Sequence, residues 1–148
     1  MITITHSTPA SPEQVWAVIE DGWTYPCWVV GASRMRAVEA DWPAPGSKLH
    51  HSVGSWPALL NDETFVRECE PGRRIVLQAK TRPAGEAIVE IELIPEGTGT
   101  RIEMREDVDK GPAKLMPKPA RQAAIGPRNT ETLLRLALLA ERRTSPTV

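Results

Sequence analysis

From Ser33 to Val108 the chain reads as one strand after another, with no helical pattern between them. The stretches Ser33 to Asp41, Lys48 to Val53, Leu60 to Glu70, Arg74 to Lys80, Glu86 to Ile94 and Thr100 to Val108 are β-branched or alternate in polarity. Only turn chemistry separates them: Pro43-Ala44-Pro45-Gly46, Gly54-Ser55-Trp56-Pro57, Pro71-Gly72, Arg82-Pro83-Ala84-Gly85 and Pro95-Glu96-Gly97. Links this short join antiparallel neighbours, because a parallel pair needs a long crossover. The expectation is an antiparallel meander, not a set of βαβ units.

The period of two assigns faces. Ala87, Val89, Ile91 and Leu93 share one side, with Glu86, Glu90 and Glu92 opposite. Thr100, Ile102, Met104, Glu106 and Val108 share another, against Arg101, Glu103, Arg105 and Asp107. Between Arg74 and Lys80 both sides carry apolar residues, Ile75, Leu77 and Ala79 on one and Val76 on the other, so the alternation separates the faces less sharply there.

Something must cover the apolar face, and the last part of the chain is suited to it. Pro127 to Arg143 reads as a helix with Pro127 at its first position. Leu133, Leu136, Ala137 and Ala140 form its apolar stripe, widened by Leu134 and Leu138, while Glu131 and Arg135 pair on the polar side. The segment Gly111 to Gly126, with Pro112, Pro117 and Pro119, reads as a turn and a short helical piece, suited to a mobile gate. At the other end, Ile2 to Thr5 alternates as a first strand. Ser11-Pro12-Glu13-Gln14 is a capping box opening a helix through Val15, Val18 and Ile19 that stops at Asp21-Gly22. A short helical segment over Trp23 to Trp28, bent by Pro26, is expected next.

Composition narrows the function classes. A chain of 148 residues with net charge -1 has no general pull toward nucleic acid or an anionic membrane. No apolar run approaches the roughly 20 residues of a membrane span. The opening MITITHSTPAS has neither the charged nor the apolar region of a signal peptide, so the cytoplasm is the expected location. Cys27 and Cys69 are expected as free, buried or half-buried thiols, and without a CxxC pair no structural metal site is expected. No nucleotide-binding or hydrolase motif is present, and no cofactor is expected.

The element order resembles the START-like superfamily, which includes birch-pollen-allergen-like proteins, polyketide cyclases and dehydrases, and lipid-transfer domains. The resemblance spans nearly the whole chain. It is carried by TPASPEQVWAVIED, by Trp23-Thr24-Tyr25-Pro26-Cys27-Trp28, by Asp41-Trp42-Pro43-Ala44-Pro45-Gly46 with Leu49-His50-His51, and by Arg128-Asn129-Thr130-Glu131-Thr132-Leu133-Leu134-Arg135-Leu136. It looks like the bacterial polyketide cyclase/dehydrase-type branch. Length alone points to one domain over residues 1–148, with Thr144 to Val148 expected as a disordered tail; the resemblance implies that this domain is an α+β helix-grip, a curved seven-stranded antiparallel sheet around a long C-terminal helix, with two short helices after the first strand. It also implies a hydrophobic small-molecule ligand held between sheet and helix. It transfers no catalytic motif.

The residues supply candidates for chemistry. His51 shares a face with Leu49 and Val53 and should point inward, where an imidazole can act as acid or base; His50 should face solvent. Glu106 lies among Ile102, Met104 and Val108, either desolvated or exposed near the strand end. Asp62, alternating with Thr64 and Val66, carries the same pair of readings. His51 with either carboxylate would make a proton-transfer dyad. Met35, Trp42, Leu49, Trp56, Met104, Met116, Leu133, Leu134 and Ala137 are the candidate ligand contacts, with the cavity expected between His51 and Leu133 or Leu134. Trp16 and Trp28 are expected in the core. Arg34, Arg36 and Lys48 are expected on a solvated face.

Three functions remain open. The first is binding of an apolar small molecule, lipid-, polyketide- or aromatic-like. The second is a cyclase or dehydrase, a lyase or isomerase, working by acid–base catalysis. The third is a protein-interaction module. Leu139 is the candidate for a homodimer contact.

Overall fold

The computed structural model describes residues 1–143; the expected tail at 144–148 lies outside them. Strand β1 (Ile2–Thr8) leads into helix α1 (Pro12–Glu20), a 3-10 turn at Gly22–Thr24 and the one-turn helix α2 (Tyr25–Trp28). Six strands follow: β2 (Ala32–Val38), β3 (Lys48–Val53), β4 (Leu60–Glu70), β5 (Arg74–Thr81), β6 (Gly85–Glu96) and β7 (Gly99–Lys110). A 3-10 turn at Pro112–Leu115 precedes the long helix α3 (Lys118–Arg142).

The seven strands form one antiparallel sheet in the order β1-β7-β6-β5-β4-β3-β2. The meander therefore runs unbroken from β2 to β7, and β1 returns to flank β7, with Ile4 opposite Met104. With α3 gripped against this sheet, the architecture is the helix-grip fold.

Local rules account for the elements. The Ser11 hydroxyl accepts from the Gln14 amide N–H, and the Gln14 side chain accepts from the Ser11 N–H, completing the capping box. Strands β6 and β7 extend beyond their expected ends because Glu96 pairs with Gly99, leaving only Gly97 and Thr98 in the turn. Strand β2 ends earlier than expected, at Val38. Its register shifts twice against β3, and the Trp42 N–H turns back to the Glu39 carbonyl. At Gly85 the backbone sits at φ +129, and a Cβ there would stand 1.9 Å from the Lys110 carbonyl oxygen. Only glycine fits that crossing.

The C-terminal helix departs most from expectation. It begins at Lys118 and runs through Gly126 and Pro127, so the segment from Gly111 is a turn plus the helix's own first turns, not a separate gate. Residues Ala120 to Ile125 are good helix formers and carry the pattern up to the proline. Proline there lacks the N–H that would bond the Ala123 carbonyl.

The core lies between the concave face of the sheet and the helices. Leu133, Leu136, Ala137 and Ala140 are buried, as are Val15, Val18 and Ile19 of α1 and Ile91, Leu93 and Ile102 of the sheet. Helix α3 packs on β1, β7, α1 and α2. The outer sheet face is an ion-pair lattice, in which Arg74 pairs with Glu68 and Glu90, and Arg105 with Glu90, Glu92 and Glu103. Beneath it Val76 and Gln78 are buried, which is why β5 carries apolar residues on both sides. Cys27 is exposed, contrary to expectation, because it sits on the outer side of the single turn of α2. Among the described residues no helix is long and apolar enough to cross a membrane.

Candidate functional site

A cavity of about 440 Å³ opens between the sheet and the helices. Its apolar walls come from alternate, inward-facing positions of β5, β6 and β7: Leu77, Ala79, Val89, Ile91 and Met104. Trp28 and Val29 close one side, and Arg128, Asn129 and Thr132 of α3 close another. Lining residues at Gly31, Gly54, Ala58, Leu60, Arg82 and Pro83 are exposed, whereas Tyr25, His51, Glu106 and Asn129 are buried. The mouth is thus formed by the loops after α2, before β4 and between β5 and β6, and the polar groups lie at the floor. A cleft of about 670 Å³ on the outer side of the sheet is a different kind of surface. Its charges pair among themselves, with Lys80 on Glu63 at 2.9 Å and Lys110 on Glu86 at 3.9 Å.

The alternation of β3 turns His51 inward, as expected, and leaves it 2% exposed. Its ring stacks on Tyr25 with centroids 5.3 Å apart. Its Nε2 stands 2.9 Å from the Thr64 hydroxyl, which is also 3.3 Å from the Tyr25 hydroxyl. Burial pulls the His51 pKa below its ordinary value, more strongly than the nearby Asp62 carboxylate raises it. The imidazole is therefore neutral at pH 7. Burial pushes the Tyr25 phenol up to about 12, so it keeps its proton.

Glu106 and Asp62 are both buried, which settles the two open readings of their exposure. Neither makes a hydrogen bond to His51. Glu106 is held across the grip by α3: Arg128 donates to one oxygen and Asn129 Nδ2 to the other, the latter at 2.7 Å. The two oxygens of Asp62 accept from the backbone N–H groups of Glu63 at 3.0 Å and Arg82 at 3.1 Å, so this carboxylate ties the β5–β6 turn to β4. The open possibility of a dyad is not realised: Glu106 and Asp62 accept from other donors, and the His51 Nε2 partner is Thr64.

Of the candidate ligand contacts, Met104 lies on the cavity wall. Leu49, Leu133 and Ala137 are packed in the core, and Met35 is half-buried on β2 opposite His51. Trp42 donates its indole N–H to the Ile19 carbonyl at 3.2 Å and packs on the core from outside the cavity. Trp56, Met116 and Leu134 are exposed. The helix thus meets the cavity at Arg128, Asn129 and Thr132, not at the expected Leu133 and Leu134, because those leucines point into the core or to solvent. Leu139 is half-buried against the core; the exposed leucines of α3 are Leu134 and Leu138.

Tyr25, Thr64, Arg128, Asn129 and Thr132 are site residues that sequence reasoning did not single out, and Trp28 serves both core and cavity. The signal for two of them was present. Asn129 and Thr132 fall on the same helical stripe as Ile125, Leu133 and Leu136, where an unpartnered polar side chain is costly. Among the described residues there is no His, Cys, Asp and Glu cluster suited to a metal, and His50 and His51 point to opposite faces.

A family model described as "Polyketide cyclase / dehydrase and lipid transport" matches residues 1–141. No curated protein matches. Among solved structures, a START superfamily protein from Mycobacterium smegmatis is 20% identical with a TM-score of 0.75, covering 97% of this chain and 98% of that one. Protein NE0264 from Nitrosomonas europaea is 15% identical with a TM-score of 0.74, over 97% and 95% of the two chains. Ara h 8.0201 is 12% identical with a TM-score of 0.69, over 94% and 96%. At these identities the likeness is one of fold.

Proposed function

Since the chain belongs to the polyketide cyclase/dehydrase and lipid-transport family, we propose that it binds an apolar small molecule, lipid-, polyketide- or aromatic-like, in the cavity between the sheet and α3. The observation that carries this reading is the cavity itself. Its volume of about 440 Å³ falls within the rough 300–1,000 Å³ range of ligand pockets. Its walls are largely apolar, and its buried polar groups, Tyr25, His51, Glu106 and Asn129, lie away from the mouth, the arrangement that buries an apolar body and orients it.

Native mass spectrometry of the protein purified from its own host tests the reading. It expects a bound small molecule that is lost on denaturation. Protein that carries no such molecule and takes up no apolar probe contradicts it.

A second reading, acid–base catalysis of a cyclase or dehydrase type, is favoured by one observation: the hydrogen-bonded run from Tyr25 through Thr64 to His51 on the cavity floor. A neutral imidazole there can accept a proton, and the phenol can reprotonate the run. Binding ranks ahead of catalysis because no carboxylate orients His51. A His51→Ala variant that abolishes turnover of a polyketide-like substrate while retaining its binding would reverse that order.

A further inference from the structure

The antiparallel meander brings the starts of β2, β4 and β6 and the ends of β3, β5 and β7 to one end of the sheet. The 3-10 turn at Pro112–Leu115 is tied to the same end, where the Ala113 N–H donates to the Ala84 carbonyl at 3.1 Å. Large apolar side chains stand in solvent here: Trp56 is 84% exposed and Leu115 88%, with Leu60 and Met116 exposed beside them. Sheet order places the exposed Pro83 of the β5–β6 turn between the two pairs. The strand-joining loops at the other end, 39–47, 71–73 and 97–98, present no exposed large apolar side chain. Apolar side chains gathered at one end in this way mark a docking face.

The tips of this end are also one-sided in charge. Loops 29–31, 54–59, 82–84 and 111–117 contain no Asp or Glu. From Lys110 to Thr130 the chain carries five cations, Lys110, Lys114, Lys118, Arg121 and Arg128, and no carboxylate. Asp107 and Glu106 engage Arg121 and Arg128. The others remain available. Lys114 Nζ rests on the Asp109 carbonyl at 3.1 Å, and Lys118 is exposed at the start of α3. Lys110 comes only within 3.9 Å of Glu86 with its side chain 70% exposed. Arg82, 3.5 Å from the Asp62 carboxylate, still exposes 65% of its side chain. The carboxylates of this end sit one layer back on the strands and already have donors: Lys80 for Glu63, and Gln78 for Glu86 and Asp109. At the other end, loop 39–47 carries Glu39 and Asp41 and no Lys or Arg. A net charge of -1 therefore covers an uneven distribution.

We propose that this end of the molecule docks on an anionic lipid bilayer, with Trp56, Leu60, Leu115 and Met116 in the headgroup layer and Arg82, Lys110, Lys114 and Lys118 against lipid phosphates. An indole is at home at that depth. The aliphatic side chains leave water there, and each cation near an anionic surface adds to the attraction. Neither part is enough alone: loop tips bury little apolar area, and a few surface charges are screened by salt. A second copy fits the face poorly, because face-to-face pairing would set the same lysines against each other. Docking requires nothing of the cavity's contents, so it stands apart from the binding reading.

Co-sedimentation of the full chain with vesicles tests this, using phosphatidylcholine alone and equimolar phosphatidylcholine and phosphatidylglycerol. Binding to the anionic vesicles should be about tenfold tighter or more and should weaken with added salt. Lys114→Glu and Lys118→Glu together should remove that preference, and Leu115→Ser should weaken anionic binding several-fold, with far-UV circular dichroism checking each fold. Arg142→Glu is the matched control. It reverses one exposed charge at the far end of α3, where Glu141 accepts from the Thr8 hydroxyl at 2.8 Å, and should leave docking unchanged. Equal binding to both vesicles, or binding to neither, overturns the proposal. So does a loss in Arg142→Glu equal to that in Lys118→Glu, which would assign the effect to net charge. A dimer in sedimentation velocity that Leu115→Ser dissociates also overturns it, by making this face a contact between copies. Uptake of an apolar fluorophore without vesicles is read separately, so failure of docking leaves the binding reading standing.

Discussion

Asn129 of α3 donates a hydrogen bond of 2.7 Å to Glu106 of β7, both groups buried, so one polar contact spans the two halves of the grip at the cavity wall. Arg128, half-exposed, supplies the opposing charge. A buried carboxylate in this setting depends on its donors.

Replacing Asn129 with Leu removes one of the two donors and leaves a Glu106 oxygen unmet in the interior. A loss of about 1–3 kcal/mol of stability is expected, read by urea unfolding. No change would mean that the contact is not maintained in solution.

Acid should weaken the fold through His51. Its folded pKa is depressed below the ordinary 6.5 by burial. Above 6.5 both folded and unfolded chains hold a neutral imidazole, and the group adds no pH dependence. As the pH falls below 6.5 the unfolded chain takes up the proton first, so stability drops until the folded pKa is reached. Unfolding curves at pH 7.5 and 5.5 should show this loss, and His51→Asn should flatten it. An equal fall in the variant would assign the loss to other groups.

Gly85→Ala should be poorly tolerated. The backbone is at φ +129, and the added methyl would meet the Lys110 carbonyl at 1.9 Å. A destabilisation of about 1–3 kcal/mol or more is expected, with a lower Tm as the readout. Wild-type stability would mean the β6 start is looser than described.

Pro127→Ala should have the opposite sign. Position 127 is exposed and inside α3, and alanine restores an N–H for the Ala123 carbonyl. A gain of about 1–3 kcal/mol is expected. A loss would show that the helix is shaped around the proline.

Much of this architecture was legible before any coordinates, because it rests on local rules. The limits of β3 and β4 follow from turn residues on either side, and the capping box at Ser11 and Gln14 forms as its spacing requires. The inward turn of His51, Asp62 and Glu106 follows from the period of two. Periodicity assigns a face, but it does not say which groups meet across the fold. It could not show that Arg128 and Asn129 reach Glu106 before His51 does, nor that Thr64 joins His51 to Tyr25. Trp42 and Trp56 look alike in sequence, each before a proline in a turn. One is half-buried with its N–H on the Ile19 carbonyl, and the other stands in solvent. The start of α3 was hidden by three prolines that the helix places at its N-terminus or tolerates inside it.

The central claim is that the cavity is a binding site, and the most direct measurement is titration with 1-aminoanthracene, an apolar fluorophore. Ala79 is buried on the cavity wall, so Ala79→Phe puts a ring into the space while far-UV circular dichroism checks the fold. Wild-type protein should show saturable fluorescence enhancement at one site, and the variant should lose affinity by about tenfold or more. Absence of saturable binding to the wild type, or equal binding by a folded Ala79→Phe variant, would contradict the account.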